Sequence, residues 1–315
     1  MRVRFRRCVV PFLILIIAAS YAPPPAIADP VPGRTIALGI DVGFYTGPIP
    51  ADAWQRMRQA GQSFVIAQAW GGRTRNEFAE SQLAGARSVG MHTAAYVLLN
   101  YDDRVCPTFA QPVREFGGRC PGDPIPQAEP GGRWQVRQGI AALGSEFASV
   151  SFIAIDVEWF LARDPLPGAK ARQRRRQTIL DAIDEVTAWG KQPVIYTRNG
   201  PRHWFDITGC SATTTSPDCD DLYAVVRHPL RPVPLWDVDF GEPTLDSFEP
   251  HGPWTSRIGR QYGVDDPEFE LPDWAGVDLN VFDLAAFSTQ PSRTTSDRPS
   301  APPEMAPLVP PRSLD

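Results

Sequence analysis

The sequence contains no CxxC pair, no GxGxxG turn, and five cysteines and four histidines in all. Without closely spaced thiols, and with His203 and His228 at no zinc-type spacing, nothing predicts a zinc site. The missing Gly-rich turn after the first apolar run argues in the same way against a dinucleotide. Neither a metal nor an organic cofactor is expected. A basic excess is also lacking: the formal charge is -5, and it falls to about -9 if the Arg-rich first residues are removed. Bulk attraction to nucleic acid is thereby excluded, and an anionic polymer would have to be recognised by local groups. Beyond the first 28 residues no apolar run is long enough to cross a bilayer, so no membrane association is expected once they are gone.

Those first residues have a shape of their own. Arg2, Arg4, Arg6 and Arg7 precede an apolar stretch from Cys8 to Ala19, and Ala26-Ile27-Ala28 follows. A basic start, a short apolar centre and an A-x-A site predict a secretory signal peptide over 1–28, hence a secreted, extracellular protein beginning near Asp29. Cys8 leaves with it. The remaining cysteines fall into two local pairs, Cys106 with Cys120 and Cys210 with Cys219. Of the three connectivities open to them, an exported context favours two local disulfide bonds. From Ser288 to Asp315 the chain is rich in Pro, Ser and Thr and poor in large apolar residues. Such a segment cannot offset its ordering entropy and is expected to be a disordered tail.

One large domain is expected over 29–287. Strands are predicted over Ile36 to Val42, Phe64 to Trp70, Thr93 to Leu99, Ser151 to Glu158 and Pro193 to Thr197. Helices are predicted between them, over Ala51 to Ala60, Glu77 to Val89, Arg133 to Phe147 and Arg172 to Trp189. A helical turn near Pro201 to Phe205 follows. After it the helical period gives out, and Leu222 to Val226, Ser256 to Tyr262 and Val277 to Phe282 read as three further strands. Strands alternating with helices imply a parallel sheet, and eight strands invite closure. The predicted fold is α/β, a TIM-like (β/α) barrel of five βα units followed by three strands with little helix. An open doubly wound sheet is the alternative.

The chemistry concentrates in Phe152-Ile153-Ala154-Ile155-Asp156-Val157-Glu158. Residues i and i+2 share a strand face, so Asp156 and Glu158 project together. Two adjacent acids cannot both ionise freely, and that coupling is one way to keep a carboxylic acid protonated near neutral pH. Asp41 ends the first strand and Asp278 lies in the last, and closure of the barrel makes those two strands neighbours. Catalytic groups of such barrels gather at the strand C-termini. Four carboxylates are therefore expected around one cleft.

Read in order, these residues resemble the family 25 glycoside hydrolases, the Chalaropsis-type lysozymes. The similarity rests on Gly39-Ile40-Asp41-Val42, Gly90-Met91-His92-Thr93-Ala94-Ala95-Tyr96, Ile155-Asp156-Val157-Glu158 and Val194-Ile195-Tyr196-Thr197. Gln261-Tyr262 and Gly276-Val277-Asp278-Leu279-Asn280-Val281-Phe282 complete it. The resemblance implies hydrolysis of the β-1,4 bond between N-acetylmuramic acid and N-acetylglucosamine in peptidoglycan. Glu158 would be the general acid, Asp156 would stabilise the oxocarbenium-like transition state or orient the acetamido group, and Asp41 and Asp278 would tune the site. Tyr96, Tyr196 and Tyr262 would meet the glycan, with Trp70 and Trp159 as weaker candidates for the same role. Departures are Ala69-Trp70-Gly71-Gly72 after the second strand, Arg260 before Gln261, and Tyr223 where the family has a Trp near strand six. Two other functions fit the same residues: a wall-binding protein that no longer cleaves, and a glycosidase acting on a different polysaccharide.

Overall fold

The computed structural model describes residues 35–72, 74–101, 131–158, 169–198, 201–211, 217–266 and 277–288. The predicted signal segment, the residues after Ser288, Trp159, Cys106 and Cys120 lie outside the described residues. Eight strands close a barrel in sequence order: β1 Ile36–Val42, β2 Phe64–Gly71, β3 His92–Leu98, β4 Phe152–Asp156, β5 Gln192–Arg198, β6 Leu235–Val238, β7 Gly259–Asp266 and β8 Val277–Asp283. Helices α1 Ala51–Gln59, α2 Ala79–Ser88, α3 Gly131–Leu143 and α4 Ala169–Ala188 separate the first five strands, and α5 Pro201–Thr208 and α6 Pro217–Val226 precede β6. No described helix is long and apolar enough to cross a membrane.

Three expectations are corrected. Leu222 to Val226 is helical, the end of α6, and the sixth strand is Leu235–Val238. A short apolar run does not distinguish strand from helix, and here Leu222, Tyr223 and Val226, spaced as one helix face, are buried. Tyr223 therefore does not stand at strand six, and the tryptophan of that strand is Trp236. Second, the sheet is not wholly parallel: β8 runs antiparallel to both β7 and β1. A parallel crossover needs a dozen or more residues, and only 267–276 separate β7 from β8. Third, the seventh strand runs Gly259–Asp266 rather than starting at Ser256.

Alternation along the strands sorts the two faces. Val65, Ala67, Ile153, Ile155 and Ile195 face the helices, where they join the larger core cluster. Phe64, Ile66, Ala94, Phe152, Ala154, Val194, Trp236 and Phe282 fill the interior. Phe64, Phe152, Phe282 and Phe287 form the floor, with ring centroids 4.7 to 5.7 Å apart. Gly39 and Gly259 make room for it: a Cβ at either would lie 2.4 or 2.2 Å from the ring of Phe64 or Phe282. Each inward-facing series turns from apolar to polar toward the opposite end. On β4 it runs Phe152, Ala154, Asp156, Glu158, on β5 Val194, Tyr196, Arg198, and on β1 Ala37, Gly39, Asp41. Because β8 is reversed, its series reads Phe282, Asn280, Asp278, so its first residues reach the same mouth.

Candidate active site

The mouth holds the four carboxylates. Asp41 and Asp278 are direct register partners across β1 and β8. Asp156 closes β4 beside Tyr196 of β5, and Glu158 stands two residues beyond on the same face. Asp156 feels the charges of Glu158 and Asp41, and Asp41 those of Asp278 and Glu158, so the acids form one electrostatic group.

Burial pushes the Asp156 carboxyl well above its ordinary value, and the neighbouring Glu158 and Asp41 push further, against the pull of Arg198. Its Oδ1 is buried and has no hydrogen-bond partner among the described residues. Asp41 is likewise raised, first by burial and then by Asp278, with the Asn280 amide opposing. Glu158 is raised by burial, and Arg198 restrains the rise. The Arg198 Nε donates to Glu158 Oε1 at 3.1 Å. That pair joins a side chain 15% exposed to one 57% exposed, at the rim of the barrel. Three carboxyls raised together in one buried mouth oppose one another's ionisation.

Two amides that the motif reading missed orient the other pair of acids. Trp236 Nε1 donates to Asn280 Oδ1 at 3.0 Å, and Asn280 Nδ2 donates to Asp41 Oδ2 at 2.8 Å. An indole nitrogen only donates, so the Asn280 oxygen must face it and the amide nitrogen must face Asp41. Gln261 repeats the arrangement: it accepts from the Tyr196 hydroxyl and donates to Asp278 Oδ2 at 2.6 Å. Each carboxylate on the β1–β8 side is thus held by an amide that an aromatic donor fixes.

Of the predicted aromatic residues, Tyr96 and Tyr196 stand inside the mouth, both packed on Trp236 with ring centroids 6.4 and 4.4 Å away. Burial and the surrounding carboxylates raise both phenols well above the usual range, so both remain O–H donors. Tyr262 is half-buried at an irregularity of β7, where the register shifts between Gln261 and Gly263. Trp70 is corrected: it is buried in the core between barrel and helices, its Nε1 donates to Gln135, and its ring meets Trp134 edge-on. Arg260, in the position before Gln261, points away from the interior and bonds the backbone of Asp239, Glu242 and Thr244. Trp236 and Arg198 went unread in the sequence. The alternation Leu235-Trp236-Asp237-Val238 and the i+2 relation of Arg198 to Tyr196 were the available signals.

Fold and site together define a closed barrel with a phenylalanine floor and a mouth carrying four carboxylates and two tyrosines. Among the described residues no grouping of His, Cys, Asp or Glu is one that could hold a metal ion. No family model matches the sequence, and no curated protein matches it. Among solved structures it is similar to the muramidase from Acremonium alcalophilum, at 20% identity and TM-score 0.49 over 78% of this chain and 93% of that one. It is similar to the muramidase from Trichobolus zukalii at 17% identity and TM-score 0.49, over 78% and 93%. It is also similar to GHIP, a glycosyl hydrolase 25 of Streptococcus pneumoniae, at 14% identity and TM-score 0.45, over 80% and 90%. Likenesses at this level carry no functional argument.

Proposed function

We propose that this protein is an exported glycoside hydrolase of the lysozyme type, cleaving the β-1,4 bond between N-acetylmuramic acid and N-acetylglucosamine in peptidoglycan. The observation that carries the reading is the pairing of a raised, rim-accessible Glu158 with a more deeply buried Asp156 on one strand face. Glycoside cleavage needs a carboxylic acid that can give its proton to the leaving oxygen and a second group that steadies the cation forming at C1. Glu158 gives its proton to the glycosidic oxygen, which departs as the 4-hydroxyl. Water then adds its hydroxyl at C1 and returns a proton to Glu158.

Asp156 suits the second role. Its unpartnered Oδ1 can accept the N–H of the sugar's acetamido group, which turns the acetamido oxygen toward C1. Asp41 and Asp278, held by Asn280 and Gln261, supply negative potential on the far side of the mouth. Tyr96 and Tyr196 present hydroxyls, and their rings, with Trp236, form an aromatic wall suited to the apolar face of a sugar. Tyr262 is assigned to the outer part of the same cleft. Export is proposed from the signal-type N-terminus, and the Cys210–Cys219 disulfide fits an oxidising compartment.

The test is to incubate the protein with purified peptidoglycan, reduce the products with borohydride and identify the new terminal alditol. Muramitol is expected. Glucosaminitol would place the cut at the other bond, and retention on the wall with no new terminus would leave a binding protein.

A further inference from the structure

A general acid must be protonated to work, yet the Arg198 guanidinium lies against Glu158 and favours its anionic form. The pair therefore opposes the protonation of Glu158 that burial favours. Arg198 is more than half exposed, ends β5 two residues after Tyr196, and sits on a long stem that can turn outward. What draws it away has to compete for a guanidinium, and a carboxylate does so best, because two parallel N–H groups match its two oxygens. The chain is acidic overall, and four carboxylates line the mouth. An anionic glycan gains nothing from the bulk field, and among the described residues Arg198 is a cation at the mouth that can compensate.

We propose that Arg198 is a specificity-determining and positioning residue that binds a carboxylate carried by the glycan and thereby releases Glu158 to take up its proton. The proposal rests on the hydrolase reading above. Two sources on a muramyl glycan carry that chemistry, the lactyl ether and the peptide stem. Among the described residues, the groups facing Glu158 are Asp156 on β4, Asp41 on β1, Arg198 and Tyr196 on β5, Tyr96 on β3 and Tyr101 just beyond it. Asp278 of β8 stands next to Asp41. Burial, and then the charge of Arg198, lower the imidazole of His203 on α5 from its ordinary value, which disfavours a second cation there. Arg175, the cation that acts on Tyr101, is buried.

The sign of the pH effect follows. Activity that needs protonated Glu158 is lost as pH rises through its pKa, and Arg198 held against Glu158 moves that loss to lower pH. A glycan carboxylate that takes Arg198 moves it back up. The experiment compares wild type, Arg198→Gln and Arg198→Lys on three glycans: stem-bearing peptidoglycan, glycan stripped of stems so that lactyl carboxylates are free, and stripped glycan with those carboxyls reduced. Wild type is expected to prefer a carboxylate-bearing glycan over the reduced one by about tenfold in kcat/KM, the return of one charge-assisted hydrogen bond. Arg198→Gln levels that preference and moves the basic limb on reduced glycan to higher pH, while Arg198→Lys restores part of the preference. A preference shown only by the stem-bearing glycan assigns the stem carboxylate, and one shown by the stripped glycan assigns the lactyl group.

Equal losses on all three glycans with an unmoved basic limb would overturn the proposal. If wild type cleaves none of them, the hydrolase reading fails and equilibrium retention on the same glycans decides Arg198 separately. Tighter retention of the anionic glycans by wild type than by Arg198→Gln then supports it, and equal retention overturns it.

Discussion

Replacing Asp156 by Asn separates the stability of this site from its function. The wild-type residue is 5% exposed, its Oδ1 lacks a donor among the described residues, and burial with two neighbouring acids raises its pKa well above the ordinary value. A carboxyl raised on folding binds more protons in the native state than in the unfolded chain between about pH 3.9 and its folded value. Stability accordingly falls as pH rises through that window. Each unit of elevation is worth about 1.4 kcal/mol. Asn keeps the shape and removes the charge, and it relieves Glu158 and Asp41 in the same direction. Part of the gain is offset because Arg198 loses an attraction, but that side chain is largely solvated and the loss is screened. At pH 4 the variant and wild type should differ by less than about 1 kcal/mol, since either side chain is then neutral and similarly short of a partner. By pH 8 the variant should be the more stable by about 1 to 3 kcal/mol, the cost of a buried group left short of a partner, and correspondingly higher in Tm. Denaturant or thermal unfolding at pH 4, 6 and 8 reads the difference directly. A variant destabilised equally at all three pH values, or more so at pH 8, would refute the burial argument.

Other perturbations probe the supports of the site. Asn280→Ala leaves Trp236 Nε1 and Asp41 Oδ2 without their partners. It should cost about 2 to 5 kcal/mol by denaturant unfolding, with activity retained best at low pH, where Asp41 is neutral. Replacing both Cys210 and Cys219 by Ser opens a loop with sequence separation 9 and should cost about 2.5 kcal/mol. Because that loop joins α5 to α6, kcat on peptidoglycan at low temperature should stay within about twofold, as expected for a change outside the site.

The first four βα units were legible because apolar runs alternate with amphipathic stretches, three of which, Ala51 to Ala60, Glu77 to Val89 and Arg172 to Trp189, stop at a glycine, and Ile36–Val42 is recovered to the residue. The acidic dyad was legible for a related reason: period-two alternation fixes the side of the strand on which Asp156 and Glu158 stand. Leu235–Val238 was not, because four residues give no period and Leu222 to Val226 offered a more apolar rival. Nor was the direction of β8, which depends on the length of the preceding link rather than on its own pattern. Asn280 and Gln261 were present in the motifs but silent, since an amide reveals its role only when its donor and acceptor partners are seen. Arg198 was silent in the same way: a cation at a strand end is ordinary surface until its distance to Glu158 is known.

The central claim, that Glu158 carries the proton, is tested most directly by Glu158→Gln on two substrates that differ in leaving group. On peptidoglycan the alcohol must be protonated to depart, and the variant should lose about 10²- to 10⁴-fold in kcat. On a dinitrophenyl β-glycoside of the GlcNAc–MurNAc disaccharide the leaving group departs without a proton, and the loss should be less than about tenfold. An equal loss on both substrates, or undiminished cleavage of peptidoglycan, would contradict the assignment.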